Sequence, residues 1–201
     1  MRWLSFAALA LTLCRCACAQ QLMVNPNTGE TEAQFAARTR WWRLAKFGMF
    51  IHWGIYSVPA DSTDLNGNKS AAEWYFSNKH AQVKDYEKFA ARFDPVRFNA
   101  KQWVATAKAA GMKYIVITTK HHDGFCMFNS DLTNYCITKA TPFKRDPMKA
   151  LAAECKRQHI KLCFYYSIMD WHHPDYLPRR PWEGANRPVD GASLDRYIQY
   201  L

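Results

Sequence analysis

Three stretches of the chain carry side chains that could do chemistry together: His52-Trp53-Gly54, Lys120-His121-His122-Asp123-Gly124-Phe125, and Tyr165-Tyr166-Ser167 with the following Asp170-Trp171-His172-His173. A fourth, Glu73-Trp74-Tyr75, closes a turn-rich connection running from Asp61 to Ser70. Imidazole and carboxylate interleaved with indole and phenol suit a sugar pocket. Aromatic rings cover the apolar C–H faces of a pyranose, while imidazoles and carboxylates fix its hydroxyls. Each signal has a plainer explanation. A lone His52 in an apolar run is ordinarily a satisfied core histidine, but two further polar strand ends shift the balance towards function. His121 and His122 would face opposite ways on a regular strand, and can converge only where the chain leaves it. His-His-Asp also offers metal ligands, yet neither His-Glu-x-x-His nor a Cys/His ligand spacing occurs, so metal ranks below sugar. His172 and His173 read as loop surface, and Cys155 and Cys163 as core.

The elements that must position these groups alternate helix and strand. Thr31-Glu-Ala-Gln34 reads as a capping box opening a helix to about Leu44. Phe47 to Trp53 is a short apolar run ended by Gly54, the pattern of a strand buried on both faces. Asn99 is an N-cap for a helix through Ala110, with Trp103, Ala107 and Ala110 on one face and Gly111 closing it. Tyr114 to Thr119 is the second strand, rich in β-branched residues. Asp146-Pro147 opens a helix carrying Met148, Leu151, Ala152 and Cys155 on its inner face. Lys161 to Tyr166 is the third strand, and Ser193 to Leu201 begins another helix. Strands apolar on both faces, joined by helices, imply parallel pairing in an α/β fold. No Gly-rich phosphate turn follows the first strand, and the polar and aromatic signals sit past strand ends. Both points favour a (β/α)8 TIM-like barrel over a doubly wound sheet. With only three to four βα units in 201 residues, against about 250 for a closed barrel, an incomplete barrel is expected.

Composition agrees with a folded chain: 49% of residues are apolar and 15% aromatic, which excludes disorder. Its 27 Lys and Arg against 17 Asp and Glu give a net charge of +10. The basic residues are scattered, without a basic helix or zinc-finger spacing, so nucleic acid is not an expected partner. Residues 1–19 read as a signal peptide: Met1-Arg2, an apolar run from Leu4 to Leu13, then Ala17-Cys18-Ala19, with residues 20–201 as the mature part. The run is far shorter than the roughly 20 residues that span a bilayer, so no membrane anchor is expected. Export to the periplasm, the extracellular space or a lysosome follows as an expectation. Four cysteines remain after cleavage, Cys126, Cys136, Cys155 and Cys163, too few to define a disulfide scaffold. Asn68-Lys69-Ser70 is a glycosylation sequon, usable only in a eukaryote.

Lys46 to Pro59, Glu73-Trp74-Tyr75, Lys120 to Cys126 and Tyr165-Tyr166-Ser167, in this order and spacing, closely resemble the α-L-fucosidases of glycoside hydrolase family 29. The resemblance implies a secreted exo-glycosidase hydrolysing terminal α-L-fucose from fucosylated glycans with retention of configuration. It also implies a (β/α)8-like catalytic domain followed by a β-sandwich, with no cofactor. By motif, the fucose pocket would use His52, Glu73, Trp74, His121, His122 and Tyr165 for binding and orientation. The family's nucleophile, an Asp at the end of the fourth strand, and its later acid/base have no counterpart in residues 1–201. Glu73 matches a binding position, and Asp123 and Asp170 read as loop or supporting groups. The expectation is half a pocket without hydrolytic activity in these 201 residues. The alternative is a catalytically inactive carbohydrate-binding relative.

Overall fold

Short apolar runs with β-branched or aromatic residues lose little by being extended, and they become strands where neighbours cover them. In the computed structural model, which describes residues 28–201, three such runs pair in parallel in the order β1-β2-β3. They are β1 Gly48–Ile51, β2 Tyr114–Lys120 and β3 Lys161–Tyr166. The register aligns Gly48 with Tyr114 and Tyr114 with Lys161, so all three strands start at the same level. The expected signal segment, residues 1–19, lies outside the described residues.

Helix α1, Glu32–Ala45, starts on the expected capping box. The Thr31 amide donates to Gln34 Oε1 at 2.8 Å, and the Gln34 amide returns to Thr31 Oγ1 at 3.2 Å. Among the described residues, those up to Leu44 belong to one compact unit and those from Ala45 onward to a second.

In the second unit, the connection from β1 to β2 is long and runs mainly through short turns before one ten-residue helix. It includes helices α2 Tyr75–Asn78 and α3 Val83–Tyr86 and the 3-10 turns Ala72–Trp74 and Glu87–Arg92. Its outermost part is the exposed turn Asp64–Asn68, where Asp64 Oδ1 accepts the amides of Asn66 and Asn68, both at 2.8 Å. Helix α4, Ala100–Ala109, begins where Asn99 Oδ1 accepts the Gln102 amide at 3.0 Å. It ends with Gly111 at φ +80° and the Met112 amide bonded to the Ala107 carbonyl, a six-to-one closure. A single turn, α5 Ile137–Ala140, precedes α6 Pro147–Gln158, capped by Asp146 Oδ1 on the Lys149 amide at 2.9 Å. Helix α7 is Leu194–Tyr200.

Helices α4 and α6 pack on each other and share one core against the sheet. Val104 and Ala107 from α4, and Met148, Leu151 and Cys155 from α6, meet Ile115 and Ile117 of β2. Two details correct the helical faces read from the sequence. Ala110 and Ala152 are exposed, and Val104 is the residue that α4 buries beside Ala107. The strands also differ in cover. β2 is buried along most of its length, but β3 has no fully buried residue and Phe164 and Phe50 are half exposed. An apolar run signals a strand, not the presence of a neighbour on both sides. Cys163, read as core, is accordingly only half-buried, whereas Cys155 is core. All four described cysteines are free thiols. The α/β class holds, and the described sheet is open rather than a closed barrel.

Candidate carbohydrate-binding site

The site forms where the three strands stop. Successive residues of an extended chain point to opposite sides, and the tip of β1 uses this. Trp53 turns into the helical layer, with ring centroids 5.1 Å from Trp103, 5.4 Å from Phe98 and 5.7 Å from Phe93. His52 turns the other way and stacks on Phe50 at 4.7 Å. Thr118 of β2 holds this tip: its hydroxyl donates to the Trp53 carbonyl and accepts the Trp53 amide, both at 2.9 Å. Tyr56 donates its hydroxyl to the same oxygen at 3.2 Å.

The pairing of β2 with β3 is irregular between Thr118 and Lys120, after which the chain leaves the sheet. Alternation therefore no longer separates His121 from His122, whose rings lie 4.3 Å apart. His121 is 5.7 Å from His52 and stacks on Tyr165 at 5.7 Å, while His52 and Tyr165 are 6.3 Å apart. Glu73 comes from the long connection, its Oε1 4.0 Å from His52 Nε2. Trp74 follows it, with its ring 5.4 Å from His122. The six residues expected at the site thus meet in one cluster at the carboxyl ends of the strands.

Three neighbours stand outside the expected pocket set, two of them in stretches the sequence singled out. Trp171 bridges Trp74 and His122, at 5.4 and 5.2 Å, and forms the back of the cluster. Ser167 accepts from His122 Nδ1 at 2.6 Å while its own hydroxyl donates to the Met169 carbonyl at 2.7 Å. Phe50 is the floor under His52. An aromatic residue just past a strand end was the available signal for Trp171. Nothing local marks a serine as a histidine's partner.

His121 and His122 are neutral near pH 7. His121 is only 5% exposed, and burial, reinforced by His122 and His52, lowers its pKa to about 3. Burial also lowers that of His122, against the pull of Glu73. Because Ser167 spends its proton on Met169, His122 carries its proton on Nδ1 and presents Nε2 as an acceptor. These two neutral imidazoles can hold hydroxyls as donor or acceptor without the desolvation cost of fixed ions, and the Glu73 carboxylate adds an acceptor. The other nearby acids are engaged. Asp123, fully buried, accepts the Tyr86 hydroxyl at 2.9 Å and the Phe125 amide at 3.2 Å, and burial raises its pKa to about 7. Asp170 pairs with Lys120.

His172 and His173 are not plain loop surface. His172 stacks on Tyr135 at 3.8 Å and meets Glu87 at 2.7 Å, and His173 packs on Tyr197 and Tyr200. They brace the loop after β3 rather than face the cluster. Among the described residues, no group of three or more His, Cys, Asp or Glu side chains could hold a metal ion. Nor, among them, is any helix long and apolar enough to cross a membrane.

Residues 12–194 match the family described as alpha-L-fucosidase. The chain is 35% identical over 144 residues to tissue alpha-L-fucosidase of Rattus norvegicus, covering 69% of this chain and 31% of the rat protein. It is similar in structure to alpha-L-fucosidase isoenzyme 1 from Paenibacillus thiaminolyticus, with 43% identity, a TM-score of 0.71, and coverage of 81% of this chain and 37% of that one. It is also similar to alpha-L-fucosidase AlfC from Lactobacillus casei in complex with its α-L-fucose product (36% identity, TM-score 0.70, 81% of this chain and 54% of that one). A variant of that bacterial enzyme is known with the disaccharide Fuca(1,6)GlcNAc. The chain spans about a third of the length of the curated relatives it matches.

Proposed function

The chain belongs to the α-L-fucosidase family, and from that membership we propose that its second unit is the substrate-holding part of a retaining exo-glycosidase acting on terminal α-L-fucose. The observation that carries the reading is the meeting of His52, His121 and Tyr165, each from a different strand end, within 5.7–6.3 Å of one another. Around them, Glu73, His122 and Trp74 supply hydroxyl partners and a ring for the sugar's apolar face.

Hydrolysis with retention needs two carboxyl groups about 5–5.5 Å apart, one as nucleophile and one as acid/base. Glu73 is the carboxylate against the imidazoles, and Asp123 and Asp170 have their oxygens committed behind them. On this reading the nucleophile and the acid/base come from strands outside the 201 residues, completing a (β/α)8 barrel around the same cup. The half-exposed rings of Phe50 and Phe164 favour such completion, since a finished barrel would cover them. Export belongs to the same proposal, on the apolar run Leu4 to Leu13 and the small-residue motif after it.

The test titrates L-fucose into the 201-residue chain and follows tryptophan fluorescence, to which Trp74 and Trp171 of the cluster contribute. Saturable quenching by L-fucose and not by D-glucose is expected, with no aryl release from an aryl α-L-fucoside above a blank. Absence of fucose binding overturns the pocket. Turnover overturns the placement of the catalytic carboxylates elsewhere.

A further inference from the structure

Directly behind the proposed sugar cup lies a charged pair that touches no surface. Lys120, the last residue of β2, is 0% exposed, and Asp170, in the loop after β3, is 1% exposed. Lys120 Nζ lies 2.9 Å from Asp170 Oδ2 and 3.5 Å from the Tyr197 hydroxyl. Three rings enclose the ammonium, those of Tyr166 at 4.6 Å, Tyr200 at 5.2 Å and Tyr197 at 5.7 Å. Lysine is almost never fully buried unless paired. A buried ion pair is also a poor source of stability, because apolar side chains of similar volume often serve as well or better. Its retention is therefore better explained by what the pair fixes in place.

The pair fixes two loops. From the β2 side come His121 and His122. From the β3 side come Ser167 and Trp171. Asp170 uses its second oxygen, Oδ1, to accept the amides of His172 at 2.9 Å and His173 at 2.7 Å, which sets the turn that carries Trp171. The Lys120 carbonyl accepts the Ser167 amide at 2.9 Å, and the His122 carbonyl accepts the Trp171 amide at 2.7 Å. Gly124 lets the two loops close: a Cβ there would sit 2.4 Å from Asp170 Oδ1. We propose that the Lys120–Asp170 ion pair is a positioning device that fixes His122 and Trp171 relative to each other, and so sets the orientation and tautomer of His122 towards the sugar. The sugar part of this inference rests on the fucose-pocket reading; the tautomer part does not.

The test is the double variant Lys120→Met/Asp170→Asn of the 201-residue chain, which removes both charges and keeps an Oδ1 acceptor for the two amides. Three quantities are read: the thermal midpoint, the ring tautomer of His122 by long-range 1H–15N correlation at pH 7, and the Kd for L-fucose. The expected result is a midpoint within a few degrees of the parent, a His122 signal changed from the fixed Nδ1–H form to a tautomer mixture, and an L-fucose Kd raised at least tenfold. An unchanged tautomer with Kd within twofold overturns the proposal. If the double variant does not fold, Asp170→Glu is read in its place. It keeps the charge pair and displaces the loop by one methylene, and the same loss of the single tautomer is expected. A parent that binds no fucose sinks the pocket reading, while the tautomer result still decides the role of the pair.

Discussion

His122 and Ser167, from two different strand ends, share a hydrogen bond of 2.6 Å in which the histidine is the donor, because the serine proton is held by the Met169 carbonyl. One hydroxyl thus decides which face of an imidazole meets the solvent-facing cup. Ser167→Ala should release the ring and weaken L-fucose binding by roughly three- to tenfold, the equivalent of one hydrogen bond of about 0.5–1.5 kcal/mol. Fluorescence titration at pH 7 measures it. An unaltered Kd would show that the tautomer does not matter for binding.

Two buried groups give stability opposite dependences on pH. His121 takes up a proton only near pH 3 when folded but near 6.5 when unfolded. Between those values the unfolded chain binds more protons, and stability rises with pH. Asp123 keeps its proton to about pH 7 when folded and only to about 3.9 when unfolded. Its contribution therefore falls as pH rises across that window. Each slope approaches about 1.4 kcal/mol per pH unit, so they nearly cancel between about pH 4 and 6.5. Asp123→Asn should expose the histidine slope, with stability rising from pH 4.5 to 6.5, and His121→Gln should expose the reverse. Urea midpoints at those two pH values distinguish them.

Gly124→Ala should destabilise the chain by about 1–3 kcal/mol, from a residue forced to φ +75° and a methyl driven against Asp170. Urea unfolding reads the loss. Replacing Gly111 at φ +80°, where nothing lies within 4 Å of an added Cβ, tests the backbone part alone and should cost less.

Leu151→Ala, fully buried between α6 and the sheet, should cost about 2–5 kcal/mol without shifting the L-fucose Kd. A change in Kd at constant fold would mean that the helical layer and the cup are coupled.

Much of this arrangement was legible in the sequence, for identifiable reasons. The caps at Thr31, Asn99 and Asp146 are local chemistry, and each forms the expected bond; Ser193, where the last helix was expected to begin, accepts the Arg196 amide in the same way. The bounds of β3 follow from an uninterrupted apolar run, and the six cluster residues follow from motifs at strand ends. Other features needed the folded chain. Burial on β3 depends on a neighbour that no run of letters records. Lys120 heads a recognisable motif, but its enclosure by Tyr166, Tyr197 and Tyr200 joins residues up to eighty positions apart. The stacking of His172 on Tyr135 is equally non-local, which is why it read as surface.

The opposite facing of His52 and Trp53 carries a constraint on how such a chain can vary in length. Losing or gaining one residue between Phe47 and Trp53 would send the indole into the cup and the imidazole into the helical layer, exchanging recognition for grease in a single step. The turn at Asp64–Asn68, with Leu65 and its neighbours open to solvent, has no such parity to protect. Length changes among homologous chains should therefore collect in that turn and stay out of the seven residues before Gly54.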